Sequence, residues 1–341
     1  MPTTTLRSYL ILARIQTAGL TMLTGVFGLL CRSVFSPLHL LTLGTIGLAA
    51  HLHGFIYNEI IDRRCDGASP HVAGKPLASG AFPLNKARLA AWLPAMVAYI
   101  LIAVVYPNIW MWLLFLAGHL GEKLYNIHGK KVPGLDLGLA LWAFTFCLFG
   151  YLAPGTPPLW HGPTPIAFPE GISLLCLAIA GLGGLQLLFN NSVEGGIKDC
   201  ETDRRSGART LAVVMGARVR DGVLQPGLPF LGYAWTIKIL AIGLAWWTWR
   251  HFGAPGSLVP MLALTITALI TLARFTLRPR FERRRLKRLF SIHEMATYMF
   301  VPLLLQPSIG TTAALGLLFF PIAWFLIFNR SLHGTWLVPP V

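Results

Sequence analysis

The stretch of sequence that decides the fold covers residues 38–66, LHLLTLGTIGLAAHLHGFIYNEIIDRRCD. Its first two thirds are mostly apolar and have about the length at which a helix crosses the hydrocarbon of a bilayer. Its last third carries Asn58, Asp62 and Asp66 at intervals of four residues. The stretch therefore predicts a membrane helix that ends in evenly spaced acids, and both properties recur along the chain.

Apolar runs of about 16 to 21 residues, close to the length of a spanning helix, recur along the whole chain. They are Leu10–Leu30, Leu38–Ile56, Leu89–Tyr106, Ile109–Leu124, Leu135–Leu152, Ile172–Leu188, Leu228–Thr248, Leu258–Leu277, Phe290–Leu305 and Thr311–Phe328. The first contains Arg14, which indicates a membrane helix rather than a cleaved signal. The weakest is Phe290–Leu305, which is short and holds Glu294. We therefore expect an all-α membrane protein, a single domain over residues 1–341, with a bundle of nine transmembrane helices, or ten if the weakest run is counted.

The composition agrees with a membrane protein. Of 341 residues, 55% are hydrophobic and 12% charged, and the mean hydropathy is +0.62, which is too apolar for a soluble globule of this size. Most of the 28 Lys and Arg residues collect in alternating loops, so the positive-inside rule predicts that these loops face the cytosol. The basic loops are Arg63–Arg88, Lys123–Lys131, Lys198–Arg220 and Arg274–Arg288. Orientation in the membrane accounts for the basic excess, and nucleic-acid binding is not expected.

Two short acidic clusters stand out because the chain has only 13 acidic residues. Four residues turn a helix by about 400° and raise it by about 6 Å, so Asn58, Asp62 and Asp66 are expected on one helix face. Asp199 and Asp203 repeat this spacing near the end of a later apolar run. Hard oxygen ligands without paired Cys or His favour Mg²⁺ over zinc.

Mg²⁺ in proteins usually takes one or two carboxylates and completes its shell with water and phosphate oxygens. Two such clusters therefore predict a phosphate-containing substrate, whose charge nearby cations can neutralise. The candidate cations are Arg63, Lys75, Lys130, Lys131, Lys198, Arg204 and Arg209. The alternative is solvated charge at the membrane surface, which suits a single cluster better than two.

The two clusters and their flanks resemble the UbiA superfamily of intramembrane prenyltransferases, and the resemblance covers nearly the whole chain. Its first motif is represented by Asn58-Glu-Ile-Ile-Asp62-Arg-Arg-Cys-Asp66, followed by Gly74-Lys75-Pro-Leu-Ala-Ser-Gly80. The second is represented by Lys198-Asp199-Cys-Glu-Thr-Asp203-Arg204, followed by Gly207-Ala-Arg209-Thr-Leu211. A third segment, Leu124-Tyr125-Asn-Ile-His-Gly-Lys130-Lys131, is similar to the one that precedes the fifth helix of the family.

The resemblance implies a helix bundle around a central cavity, two Mg²⁺ ions and an isoprenyl diphosphate. It implies that Asp62, Asp66, Asp199 and Asp203 hold the metal and that Asn58 assists. Residues facing the diphosphate would be Lys75, Lys130 or Lys131, Lys198 and Arg209, with Tyr125 near the reacting allylic carbon. The chain departs from the family where Gly195-Gly196 replaces a frequent acid, where Arg14 lacks a following proline, and where the proline of the third segment is missing or displaced to Pro133.

The leading functional hypothesis is Mg²⁺-assisted ionisation of an isoprenyl diphosphate and transfer of the prenyl group to a lipophilic acceptor, either aromatic or a hydroxyl compound. The alternative is a terpene cyclase on the same scaffold, in which double bonds of the same chain attack the cation. A transporter is the third possibility and is disfavoured, because the acids lie at helix ends rather than at a broken-helix pair in the midplane. Membrane lipid is the remaining expected partner.

Overall fold

The computed structural model describes residues 5–67, 73–159, 171–277 and 280–336. This part of the chain is nearly all helical, as predicted, with one small hairpin in which β1 (Arg218–Arg220) pairs antiparallel with β2 (Val223–Gln225). The α-helices are α1 Thr5–Leu12, α2 Ala18–Leu30, α3 Pro37–Gly67, α4 Leu84–Val105, α5 Ile109–His128, α6 Asp136–Leu152, α7 Leu174–Phe189, α8 Gly196–Ser206, α9 Leu211–Val214, α10 Leu228–Phe252, α11 Leu258–Thr276, α12 Arg283–Tyr298, α13 Phe300–Ile309 and α14 Thr311–His333.

Among the described residues, seven helical segments are long and apolar enough to cross a membrane. They become eight if α1 and α2, which meet at a 49° bend, count as one span. Helices dominate because backbone polar groups in hydrocarbon must be satisfied within the segment itself. Of the predicted runs, two fall outside this set: the one on α5, and Phe290–Leu305, which is divided at Met299 between α12 and α13.

The chain divides into two compact units. The first consists of Met1–Ala117, Phe146–Ile172 and Phe319–Val341, and the second of Gly118–Thr145 and Ser173–Leu318. A single domain over residues 1–341 stays a prediction.

In the first unit, helices α2 and α6 approach to backbone contact. A Cβ atom on Gly28 would collide with the carbonyl oxygen of Cys147, and one on Gly150 would collide with that of Gly25. Small residues permit such close approach between membrane helices, where van der Waals packing drives association. The glycines here are therefore required by packing.

The bend between α1 and α2 is centred on Arg14, which has a left-handed backbone (φ 44°, ψ 45°). Side chains of two other helices donate to carbonyl groups at the bend, in addition to local bonds from Thr17 and Ala18. The Nε2–H of His51 on α3 donates to the carbonyl of Arg14 (3.2 Å), and the Nε1–H of Trp324 on α14 donates to that of Ile15 (2.7 Å). Nδ1 of the same histidine then accepts from the hydroxyl of Thr21 (3.0 Å).

In the second unit, α7 does not end at Phe189. It continues through a π-helical segment, Asn190–Gly195, directly into α8, so that Leu174–Ser206 forms one helix of 33 residues. Aromatic side chains at the centre of this unit's core join α7, α10, α11 and α12. They are Phe189, Phe230, Phe275 and Phe290.

Candidate functional site

The first acidic cluster lies at the end of α3. This helix continues without a break to Gly67, so the four-residue spacing places Asn58, Asp62 and Asp66 on one face, as predicted. Asn58 and Asp62 are half-buried and Asp66 is buried. Burial raises the pKa of the Asp66 carboxyl, and the charge of Lys75 opposes this rise.

Lys75 joins the first cluster through a turn in the connection to α4. Its Nζ atom lies 2.8 Å from Oδ2 of Asp66 and 3.0 Å from Oε1 of Glu59. The turn is fixed because Ser79 donates both its amide and its hydroxyl to the Lys75 carbonyl, and because Leu77 is buried in the core of the first unit. Lys75 is thus held against the acids of the first cluster, and its contact with a diphosphate stays a prediction.

Glu59 is a functional candidate that the sequence reasoning missed. Only 4% of its side chain is exposed, and its Oε1 atom accepts from both Lys75 and Nη2 of Arg14 (2.8 Å). The left-handed backbone at Arg14 directs this guanidinium toward Glu59, and it also lies 5.1 Å from the ring centroid of Phe55. The only signal in the sequence was the position of Glu59 beside Asn58.

The second cluster lies on α8 and is more open. The side chain of Asp199 is 44% exposed and pairs with its neighbour Lys198 at 3.3 Å, whereas Asp203 is buried. Glu201 faces elsewhere, as predicted, since its carboxylate pairs with Arg205 (2.7 Å) and Arg283 (3.5 Å).

The remaining predicted site residues of the second unit cluster around the end of α5. The amide of Arg209 donates to the carbonyl of Lys130 (2.8 Å), which brings the loop after α8 against the loop after α5. Half-buried Tyr125 lies one turn before this contact, and the amide of Gly129 donates to its carbonyl (2.7 Å). Lys131 is exposed.

One of the two glycines that precede the second cluster is restricted by packing. A Cβ atom on Gly196 would lie 2.8 Å from the Cβ of Ala212 on α9, closer than carbon atoms approach. A side chain therefore does not fit at this position without displacing α9.

The donor atoms suit Mg²⁺, although they do not form a complete protein cage. In the described parts of the chain, no three His, Cys, Asp or Glu side chains are grouped closely enough to enclose a metal. Mg²⁺ commonly binds through one or two carboxylates and takes its other ligands from water and phosphate. Helix α3 supplies two carboxylates, Asp62 and Asp66, and helix α8 supplies two more, Asp199 and Asp203.

The long apolar helices and the acids at their ends define a class, an integral membrane protein that crosses the bilayer several times. The model of the UbiA prenyltransferase family matches residues 18–293. The chain belongs to this family. No curated protein matches it in sequence.

Solved structures with this fold have low sequence identity to the chain. A UbiA homolog from Archaeoglobus fulgidus, bound to GPP and Mg²⁺, has a TM-score of 0.61 at 16% identity over 89% of this chain and 100% of its own. The apo UbiA homolog from Aeropyrum pernix K1 has a TM-score of 0.64 at 17% identity, over 84% and 94%. A structure described as digeranylgeranylglyceryl phosphate synthase has a TM-score of 0.60 at 19% identity, over 89% and 99%. At these identities the likeness establishes the fold.

Proposed function

We propose that this protein is a Mg²⁺-dependent prenyltransferase that ionises an isoprenyl diphosphate and transfers the prenyl group to a lipophilic acceptor within the membrane. The observation that carries the proposal is the network around Glu59, which binds Arg14 and Lys75, with Lys75 also in contact with Asp66. Two cations and metal-binding acids in one place suit a diphosphate. The GPP and Mg²⁺ bound by the Archaeoglobus homolog support the same substrate class.

The acids would bind the metal together with phosphate oxygens that complete its shell, as is usual for Mg²⁺. In this proposal Asp62 and Asp66 act from α3, with Asn58 assisting, and Asp199 and Asp203 act from α8. When bound, Mg²⁺ supplies Lewis-acid stabilisation of the charge that grows on the leaving diphosphate. Two ions would match the two clusters.

The cations would bind the diphosphate directly. An ammonium group has three N–H donors, and the contacts of Lys75 with Glu59 and Asp66 account for two of them. The third can donate to a phosphate oxygen, while Arg14 adds a second positive charge. In the second unit we assign the same task to Lys198, Arg209 and one or both of the pair Lys130 and Lys131.

The proposed reaction begins when the diphosphate leaves the allylic carbon. The bond between the allylic carbon and the diphosphate oxygen breaks, its electron pair leaves with the diphosphate, and fixed cations stabilise the leaving group. The ring of Tyr125 would stabilise the allylic cation through its face. An electron pair of the acceptor forms the new bond, and the proton of the attacking hydroxyl or ring carbon passes to the released diphosphate. The exclusion of water by the apolar surroundings prevents hydrolysis.

For the topology we propose that α5 and the pair α12–α13 also lie in the membrane, which would give nine or ten crossings. The basic loops that follow the acidic clusters would face the cytosol, because Lys and Arg accumulate on that side.

The test uses the purified full chain in lipid nanodiscs with Mg²⁺ and geranyl, farnesyl or geranylgeranyl diphosphate, with and without phenolic and alcohol acceptors. Diphosphate release and product masses are measured together. A prenylated acceptor is expected. A cyclic terpene formed without acceptor would replace the transferase by a cyclase, and no diphosphate release from any donor would overturn the proposal.

A further inference from the structure

The second acidic motif follows a change of helical register. In an α-helix each amide pairs with the carbonyl four residues before it, and in a π-helix with the one five residues before it. The π-helical segment Asn190–Gly195 therefore adds one residue between α7 and α8 relative to a continuous α-helix. If the segment relaxed to α-helix, each residue of α8 would take the place of its C-terminal neighbour.

Such a shift would remove the acids from their present positions. Lys198 would occupy the place of Asp199, and Thr202 that of Asp203, while Cys200 would move from a fully buried position to that of Glu201, whose side chain is 28% exposed. The chemistry proposed for α8 thus exists in one register only.

Packing of the glycine pair does not select this register. Gly196 lies against Ala212, where a Cβ atom does not fit. In the relaxed register Gly195 would take that place, and it also lacks a Cβ atom. Something other than this contact must therefore hold the π-helical segment.

A buried charged group lies beside the segment. Lys238 of α10 is fully buried, and its Nζ atom donates to Oε1 of Gln186 (3.0 Å) and lies 3.9 Å from the ring centroid of Phe189. Gln186 in turn donates to Oδ1 of Asn190, the first residue of the π-helical segment (2.5 Å). Lys238 is thus attached to the last turn of α7.

The same lysine acts on the far end of the segment. Glu194 is 3% exposed, and the groups that act on its carboxyl are the carboxyl of Glu294 on α12 and the charges of Lys238 and Lys198. In the relaxed register Val193 would take the place of Glu194, and Lys238 would lose one of the two acidic groups that act on it. Buried ionisable groups in membrane helices are costly, and fixing a register is the best-attested use of buried polar groups.

We propose that Lys238 and Glu194 are positioning residues, which hold the π-helical segment and thereby set the register that presents Asp199 and Asp203. The effect on catalysis rests on the function proposed above. The effect on register does not, because it concerns only the helix Leu174–Ser206 and its neighbour α10.

The experiment measures thiol exposure in the full chain in nanodiscs. Lys238→Met leaves buried acids unbalanced and can impair folding, so the main variant is the charge-matched double substitution Glu194→Gln with Lys238→Met. Cys200 reports the register. Cys176 on α7, equally buried but before the segment, is the internal control. Maleimide labelling of each cysteine is followed by peptide mass spectrometry.

Because buried thiols are inert, labelling of Cys200 is expected to rise by roughly tenfold or more in the double variant, with Cys176 unchanged. Protection of both thiols would mean that the pair only balances charge, and labelling of both would mean general loosening; either result overturns the proposal. Thr265→Val, which removes a hydrogen bond between α10 and α11 (3.0 Å from Trp246), should change neither thiol.

Measuring turnover as a function of Mg²⁺ concentration distinguishes a failure of this inference from a failure of the proposed function. In the double variant, half-maximal turnover is expected to need more Mg²⁺. Faster labelling of Cys200 with an unchanged Mg²⁺ requirement would keep the register inference and refute the metal-binding role of the α8 acids.

Discussion

The two acidic motifs have the same spacing but are held in different ways. In the first, ion pairs surround the acids: Lys75 contacts Asp66, and Glu59 joins Lys75 to Arg14. In the second, Asp199 is 44% exposed and pairs with the adjacent Lys198, and its position depends on the register of the helix. Equal spacing in sequence therefore does not imply an equal environment, and the two motifs should respond differently to mutation.

The largest loss of activity is expected when an acid is removed from either motif, because both motifs are proposed to bind the metal. Asp62→Ala and Asp199→Ala should each lower Mg²⁺-dependent diphosphate release by at least roughly 10²-fold, because each removes a group that stabilises the leaving charge. Release from geranyl diphosphate by the purified protein is the measurement. Asp221→Ala, at a turn where the side chain is 91% exposed, is the matched control and should retain normal rates. Near-normal activity of either motif variant would count against a two-metal scheme.

The first motif should be sensitive to loss of its buried bridge. Glu59→Gln removes the charge that holds Arg14 and Lys75, so we expect the KM for diphosphate donor to rise by at least roughly tenfold, since interactions with charged groups are worth about 1.5–3 kcal/mol. Steady-state kinetics over a range of donor concentrations would measure it. An unchanged KM would show that the two cations do not need Glu59.

The second motif should be sensitive to helix packing instead. Gly196→Ala introduces a Cβ atom 2.8 Å from that of Ala212, and overpacking of this kind costs about 1–3 kcal/mol. Thermal unfolding in nanodiscs should show a lower midpoint. Gly243→Ala on α10, where no atom lies within 4 Å of the added methyl, is the control and should not lower the midpoint, since Ala favours a helix over Gly. Equal midpoints for both variants would contradict the close contact with α9.

The smallest effect is expected at the acid of α8 that faces away from the motif. Glu201→Gln should change turnover and stability little, because its pairing with Arg205 is largely exposed and such pairs contribute about 0–1 kcal/mol. Donor turnover compared with that of Asp199→Ala would measure the contrast. A large loss in Glu201→Gln would place this acid in the site.

Sequence reasoning predicted much of the fold because hydrophobic length and acid spacing are local properties. The apolar runs correspond to helices, and the face shared by Asn58, Asp62 and Asp66 follows from the unbroken α3. The interpretation of Phe290–Leu305 as one span stays a prediction, since the structure divides this run at Met299 between α12 and α13. Composition alone does not locate such a break.

What the sequence could not provide depends on contacts between distant segments. The role of Glu59 requires Arg14, 45 residues earlier, to approach it through a left-handed bend. Likewise, the reason for Gly196 is Ala212 on another helix, and the π-helical segment before it has no signature in spacing. The roles assigned to the motif residues stay predictions until the variants are measured.

The bend at Arg14 also constrains how the protein is made. The carbonyls of Arg14 and Ile15 accept hydrogen bonds from His51 and from Trp324, and the latter lies on α14, 309 residues after Ile15. Thr17 also donates its amide and hydroxyl to the Arg14 carbonyl, and the amide of Ala18 donates to that of Ile15, so the bend has local support before those side chains arrive. The α1–α2 pair is therefore expected to gain its full set of hydrogen bonds only after α14 has been synthesised, which makes a late segment a condition for an early one to mature.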